Sequence, residues 1–231
     1  MKKLITASLA ALAITGIASA QDRGAFNVLN MAVEDQTTYV AALKANPVIF
    51  SALEAEVAGV CRTTAGSQYY GEMFVWTGYS SMGDAMDAGI KFLGAPTSGP
   101  ISEMRTIIDS EMYVPINDFE LNPGVERVYK VKTSQPAAYA EAISAMEAAM
   151  HANGFEDIFM AVLTAPVSGP DEVGIVTVRV IAPDSHRLGA LMAAQYAAPD
   201  WYAEALTGIA ATGREIVNDS VEVCEIIYTA E

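Results

Sequence analysis

Cysteine, histidine and positive charge are what this 231-residue chain has least of: two cysteines, two histidines, and 13 lysines and arginines against 28 acidic residues. A formal net charge of -15 leaves no cationic face to neutralise phosphates, which argues against nucleic acid as a partner and equally against anionic membrane surfaces. Two cysteines do not make a disulfide framework, so the fold must rest on its core. No C-x-x-C is present and neither cysteine sits beside a histidine, which argues against redox catalysis and against a zinc site. There is no G-x-S-x-G, no H-E-x-x-H, no glycine-rich phosphate loop and no D-x-D-x-D-G calcium loop. No metal is expected. No apolar run is long enough for a membrane-spanning helix, so no membrane insertion is expected either.

What is present is apolar material: 52% hydrophobic against 18% charged residues, ample for a packed core. The first residues have a separate meaning. Lys2 and Lys3, an apolar run from Leu4 to Ile17, and Ala18-Ser19-Ala20 match a secretory signal with its small-residue cleavage site. Residues 1–20 are therefore expected to be removed, leaving a mature chain that begins at Gln21, in the periplasm of a bacterium or outside the cell.

The remainder shows one pattern twice. Gln36-Thr37-Thr38-Tyr39 and Pro136-Ala137-Ala138-Tyr139 each open a helical segment after an apolar strand. Met82-Gly83 is answered by Leu188-Gly189, and Asp109-Ser110 by Asp219-Ser220, with offsets that rise in order as short insertions in a second copy require. In the first copy, periodicity and breakers predict a strand over Phe26 to Val33, a helix from Asp35 interrupted at Asn46-Pro47, and strands over Val57 to Thr64 and Tyr70 to Tyr79. A helix from Ser81 to Leu93, a short helix from Ile101 to Ile108 and a strand from Met112 to Ile116 complete it. The second copy reads as strand Val125 to Lys132, helix Gln135 to Ala152, strands Phe155 to Ala165 and Glu172 to Ile181, helices Ser185 to Ala197 and Asp200 to Ala211, and strand Val221 to Thr229. The fold class is α+β: two tandem ferredoxin-like βαββαβ units, residues 21–118 and 125–231, joined by a linker at 119–124 around Asn122-Pro123-Gly124. Each unit leaves one sheet face bare, and the equivalent face of the other unit is its natural cover, giving an antiparallel α/β barrel with the helices outside.

In this duplicated order the chain resembles the dimeric α/β-barrel superfamily, whose members include antibiotic-biosynthesis-type monooxygenases, haem-degrading monooxygenases, stress-responsive barrel proteins and chlorite dismutases. The resemblance implies a sheet order of 4-1-3-2 in each unit, with strand 2 of one unit meeting strand 4 of the other. Cys61 lies on the first of these and Cys224 on the second, so a disulfide between them is expected, two buried free thiols being the alternative.

Sites in such barrels lie inside the barrel or between sheet and helices. By alternation, Leu29, Met31, Tyr129 and Val131 face helices, while Val28, Asn30, Val128 and Lys130 face the barrel. Glu72, Phe74 and Trp76 share one face, as do Thr177 and Arg179, and Glu225 is placed to pair with Arg179 or Lys130. Asn30, Glu72, Trp76, Lys130, Arg179 and Glu225 are thus the candidate ligand-binding residues, although aromatic residues and ion pairs of this kind also serve a core alone. The haem-degrading relatives use an asparagine, a tryptophan and a histidine on the first strand, third strand and second helix; Asn30 or Asn27 and Trp76 match in the first unit, His186 in the second, and no unit holds all three. His186 is the remaining candidate haem ligand, His151 reading as a helix C-terminal residue. The cofactor-free relatives add Tyr70 and Tyr79 to Asn30 and Trp76. Asp109 with Glu111 reads as solvated loop charge. No cofactor and no complete catalytic set is expected. The favoured reading is an exported, non-catalytic protein that binds a small apolar or aromatic ligand, or serves as an assembly module; the competing one is a cofactor-independent monooxygenase or a haem protein.

Overall fold

The computed structural model describes residues 24–95, 98–169 and 172–230; the expected export segment lies outside them. Eight strands and seven helices follow the chain as β1 (Ala25–Ala32), α1 (Gln36–Lys44), α2 (Val48–Ala52), β2 (Val57–Ala65), β3 (Glu72–Tyr79), α3 (Met82–Leu93), α4 (Pro100–Glu103), β4 (Thr106–Pro115), β5 (Val125–Lys132), α5 (Pro136–Ala152), β6 (Phe159–Val167), β7 (Ile175–Ala182), α6 (Ser185–Ala197), α7 (Asp200–Ala211) and β8 (Glu215–Thr229). The strands form one closed barrel in the order β1-β3-β2-β8-β5-β7-β6-β4, with every neighbouring pair antiparallel. Each half therefore contributes a 4-1-3-2 sheet, and the seams are β2 with β8 and β4 with β6. Four antiparallel steps separate β1 from β5, so these two strands run the same way and their equivalent residues lie at the same end of the barrel.

Local signals explain the helix ends. Asp35, Ser81 and Asp184 each accept a backbone N–H three residues on, satisfying one orphan donor of α1, α3 and α6. Pro47 caps α2 where the helical pattern breaks after Lys44. The largest departures from the sequence expectation are at three strand starts. The helix expected over Ile101 to Ile108 stops at Glu103, and β4 begins at Thr106, because the β-branched run Thr106-Ile107-Ile108 favours the extended chain. β8 likewise begins at Glu215 rather than Val221. β6 begins at Phe159 because Phe155 donates its N–H back to Met150 and Ile158 to Phe155, keeping that stretch in a turn.

Strand alternation sorts the side chains into three cores. Met31, Val60, Met73, Tyr39 and Leu43 pack between the first half's sheet and its helices. Val131, Val162, Val178, Tyr139, Ile143 and Met146 do so in the second half. Inside the barrel lie Val28, Cys61, Trp76, Tyr113, Ala161, Leu163, Ile181 and Cys224. Among the described residues no helix is long and apolar enough to cross a membrane.

Candidate functional site

The barrel interior is not completely filled. A chamber of about 110 Å³ runs along it, lined at one end by Phe26, Trp76 and Phe119, near the middle by Phe74, Cys61 and Arg179, and at the other end by Asn30, Glu72, Lys130 and Thr177. Eight strands give an interior that side chains just fill or that holds one small ligand. The segment between β4 and β5 is part of the chamber: Phe119, Leu121 and Pro123 line it, and Phe119 meets Phe26 with ring centroids 6.3 Å apart.

Equivalent positions in the two halves carry opposite chemistry. In the first half Val28 pairs with Trp76 and Phe26 with Tyr113; in the second Val128 pairs with Arg179 and Glu126 with Glu222. Phe26, Trp76 and Tyr113 thus occupy the places of Glu126, Arg179 and Glu222. The first set is apolar, with Phe26 edge-on to Trp76 at 5.9 Å. The second is a buried ion triad in which Arg179 donates to Glu126 and to Glu222 at 2.6 Å each and lies over the Phe74 ring. Burial works against the Arg179 charge, but the two carboxylates outweigh it and hold the guanidinium protonated well above its ordinary range. Burial pushes the Glu126 carboxyl up, Arg179 opposes this, and Glu222 reinforces it.

Behind the lining side chains Asn30, Tyr113 and Lys130 stand two carboxylates, Glu111 and Glu172, that do not line the chamber themselves. The Tyr113 hydroxyl donates to Glu111 at 2.8 Å, and Asn30 Nδ2 donates to Glu111 at 3.3 Å and to Asp109 at 2.6 Å. Lys130 pairs with Glu172 at 2.6 Å. Glu111 is buried, and burial raises its carboxyl above the usual range; Tyr113's hydrogen bond opposes that shift and Glu172's charge adds to it. Among the described residues, two buried carboxylate oxygens here have no hydrogen-bond partner: Glu111 Oε1 and Glu172 Oε2.

Cys61 and Cys224 face each other directly across the β2·β8 seam and are joined as a disulfide, with S–S at 2.05 Å. Arg179 Nη2 lies 3.3 Å from Cys224 Sγ and 3.5 Å from Cys61 Sγ. Although these sulfurs cluster with Glu222, a disulfide has no thiolate to offer a metal.

Of the residues expected at the site, Asn30, Glu72, Trp76, Lys130 and Arg179 all line the chamber. Glu225 does not: it sits on the outer face of β8, paired with Lys44 at 2.5 Å and with Arg62 at 3.8 Å. Cys224 points inward, so alternation turns Glu225 out and Glu222 in, and Glu222 takes the place expected of Glu225 beside Arg179. Lys130's partner is Glu172 for the same reason. Tyr70 is 84% exposed and Tyr79 packs between sheet and helices, so neither reaches the chamber. Asn27 also faces the helices, donating to Ala85 O. Glu111, read as solvated loop charge, is inside the barrel.

Haem does not fit the described residues. His186 lies exposed on the first turn of α6, and His151 Nε2 bonds to the Ile158 carbonyl at 2.8 Å. No histidine lines the chamber, whose volume is several-fold below the range of ordinary cofactor pockets, and the sheet–helix spaces are filled by fully buried side chains.

The site residues that alternation alone did not single out are Glu126, Glu222, Glu111, Tyr113 and Gly59. Glu126 shares parity with Val128 and Lys130, and Glu222 with Cys224, so both were open to the period-2 rule. Gly59 is different. A Cβ there would lie 2.2 Å from Trp76 Cζ2 and 2.7 Å from Glu225 O, so only glycine lets the indole lie flat on β2.

No protein-family model matches this sequence, and no curated protein matches it. Solved structures of similar fold do exist. A Lactobacillus acidophilus NCFM protein provisionally named a monooxygenase superposes with a TM-score of 0.56 at 10% identity, over 89% of this chain and 95% of that one. An anthrone oxidase-like protein gives a TM-score of 0.52 at 12% identity, over 91% and 98%. A chlorite dismutase variant from Candidatus Nitrospira defluvii, in complex with cyanide, gives 0.54 at 10% identity, over 90% and 92%. At such identities the likeness is one of fold: the chain has the dimeric α/β-barrel fold within a single polypeptide.

Proposed function

We propose that this dimeric α/β-barrel chain binds a small ligand, about one six-membered ring in size, inside the barrel. The observation that carries this reading is the partly unfilled interior: five aromatic side chains and an ion triad are among the groups that enclose about 110 Å³ where eight strands would otherwise pack solid. A cavity of about 150 Å³ lined by apolar side chains takes benzene, so a chamber of about 110 Å³ suits a single small ring, with Asn30 and Lys130 among the lining groups that would meet a polar substituent. The binding role is non-catalytic in this reading, and residues 1–20 direct the protein out of the cytoplasm. N-terminal sequencing of material recovered from the periplasm or medium tests the second point; a first residue other than one near Gln21 refutes it. Trp76 lines the chamber and Trp201 packs against the helices, so a Trp201→Phe variant isolates the interior signal. A saturable change in its emission on titration with benzyl alcohol is the expected result, and unchanged emission up to the solubility limit overturns the reading.

A second reading, cofactor-independent oxygenation, is favoured by one observation. Glu111, a buried carboxylate held above its usual range, accepts from Tyr113 beside Asn30 and the chamber. Such a group accepts a proton from a phenol, which with dioxygen gives benzoquinone and water. The names of the monooxygenase and anthrone oxidase-like neighbours support the same direction. Oxygen uptake with phenol that disappears in Glu111→Gln is the result expected on this reading; no uptake eliminates it.

A further inference from the structure

The disulfide stands on the more extensively paired of the two barrel seams. β2 and β8 are in register from Val57 opposite Thr229 to Ala65 opposite Val221, whereas β4 and β6 are joined at Met112, Val114 and Pro115 alone and contain no cysteine. Closing the barrel therefore does not account for the bond. Both sulfurs turn inward, where Cys61 and Glu222 line the chamber. Cys61 Sγ, Cys224 Sγ and a Glu222 carboxylate oxygen lie within 4.8 Å of one another, and all three residues are buried. Arg179 is shared by Glu126 and Glu222, so one guanidinium faces two carboxylates and a negative charge is left over. Arg179 holds Glu222 by Oε2, and its Nη2 lies 3.3 Å from Cys224 Sγ and 3.5 Å from Cys61 Sγ. Two sulfurs, a carboxylate in excess and an N–H donor against the sulfurs are the parts of a thiolate metal site with its outer shell. Only the thiolates are missing, because the sulfurs are bonded to each other.

We infer that reduction of the Cys61–Cys224 disulfide opens a site for one thiophilic divalent ion, Zn2+, bound by Cys61 Sγ, Cys224 Sγ and Glu222, with its fourth position facing the chamber. A dithiol reductant gives two electrons and two protons to the disulfide and leaves as its own disulfide; Zn2+ then displaces the two thiol protons. Two protons leave as one divalent ion enters, so the loaded cluster carries the same net charge as the oxidised one. Sulfur ligands select Zn2+ over magnesium or calcium, which prefer oxygen. Three protein ligands leave one tetrahedral position for water or another small ligand, the pattern of open zinc sites. Such a site needs no ring in the chamber, only a free position beside Cys61.

The oxidised chain and the chain reduced with a phosphine, each titrated with Zn2+ without oxygen at pH 7.5 against a chromophoric chelator that outcompetes loose surface carboxylates, test the site. Uptake of one ion by the reduced chain and none by the oxidised chain is expected. Cys61→Ser and Cys224→Ser should each abolish uptake, and Glu222→Gln should weaken it about tenfold. Co2+ in place of Zn2+ should give the visible absorption of a tetrahedral thiolate site in the reduced chain alone. Because reduction itself removes a crosslink, thermal unfolding is the second measurement: Zn2+ should raise the midpoint of the reduced chain and leave those of the oxidised chain and of Cys61→Ala with Cys224→Ala unmoved. Equal uptake by the oxidised chain, or uptake indifferent to the cysteine substitutions, overturns the assignment. So does a reduced chain whose midpoint Zn2+ does not raise, or one that stays unfolded with Zn2+ present.

Discussion

Arg179 is the most consequential single charge in the barrel, and replacing it with methionine isolates what it does. The substitution keeps most of the side-chain volume and removes the only ion-pair partner, among the described residues, of two carboxylates that are 3% and 6% exposed, Glu126 and Glu222. Breaking a buried ion pair by deleting one partner costs about 3–5 kcal/mol, because the remaining charge has neither water nor a counter-ion. For a chain of this size each kcal/mol moves the unfolding midpoint by about 2–4 °C, so Arg179→Met should melt roughly 6–20 °C below the parent at pH 7.5. The cost must depend on pH. Burial already raises Glu126, and removing Arg179 takes away the interaction that opposed the rise, so acidification to pH 5 should favour the neutral form of Glu126 and restore part of the loss. The first half shows that the architecture accepts an apolar trio at the equivalent places, Phe26, Trp76 and Tyr113, so Glu126→Leu, Arg179→Met and Glu222→Leu together should recover most of the stability. Thermal unfolding by circular dichroism at the two pH values decides the matter. A midpoint for Arg179→Met within 2 °C of the parent, or a deficit as large at pH 5 as at pH 7.5, refutes the reasoning.

Three other perturbations test separate parts of the structure. Glu111, Glu126 and Glu147 all titrate above the ordinary value of 4.5, chiefly because of burial, so the native state takes up their protons at higher pH than the unfolded chain does. Their contribution to stability is complete below that ordinary value and lost as pH rises through the folded values. Asp35 and Asp157 are lowered by hydrogen bonds from Thr38 and Arg187, and their contribution is lost as pH falls through folded values below 3.8. The midpoint should therefore rise as pH is lowered from 7.5 toward 4.5 before it falls; a steady decline over that whole interval contradicts the assignment. Gly59→Ala places a methyl group against the Trp76 indole and the Glu225 carbonyl, which should cost about 1–3 kcal/mol and alter Trp76 emission in the Trp201→Phe background; an unaltered spectrum and midpoint count against the packing described. The disulfide links residues 163 apart in sequence, a constraint worth about 5 kcal/mol at most in the chain-entropy view, so Cys61→Ala with Cys224→Ala should lower the midpoint by roughly 10–20 °C, and a loss below 2 °C would show that closure of the β2·β8 seam does not need it.

The order of elements was legible because apolar period and breakers agree over most of the chain, and the inward faces of β1, β3, β5 and β7 followed from alternation around Val28, Phe74, Val128 and Thr177. Legibility failed where one face does not meet a core. Ile107, Ile108, Ile216 and Val217 are 43–49% exposed at the starts of β4 and β8, where neither strand face is covered, so no alternation marks them as strand. The site suffered for a related reason. Glu222 and Glu225 look alike in sequence, and only the inward direction of Cys224, fixed once β8 pairs with β2, tells which of them reaches Arg179. Gly59 carried no signal of its own, since the need for it arises from an indole brought over it by β3.

The two halves are alike in topology and unlike in what they send into the barrel, and that difference is what gives the interior a direction. Had both halves supplied Phe, Trp and Tyr, the positions would form a continuous aromatic core with no polar anchor. Had both supplied Glu, Arg and Glu, two buried triads would each leave one carboxylate in excess, at a desolvation cost with no ring surface to offset it. The arrangement present sets Trp76 and Phe26 as one wall and Arg179 with its carboxylates as the other, with Phe74 of the first half lying under the guanidinium. Two acidic groups bonded to the lining, Glu111 from β4 and Glu172 beside Lys130 of β5, also come from different halves. Each half alone therefore presents only part of the chamber, and recognition of a ring at one end and a polar group at the other depends on the sheets closing on each other along both seams.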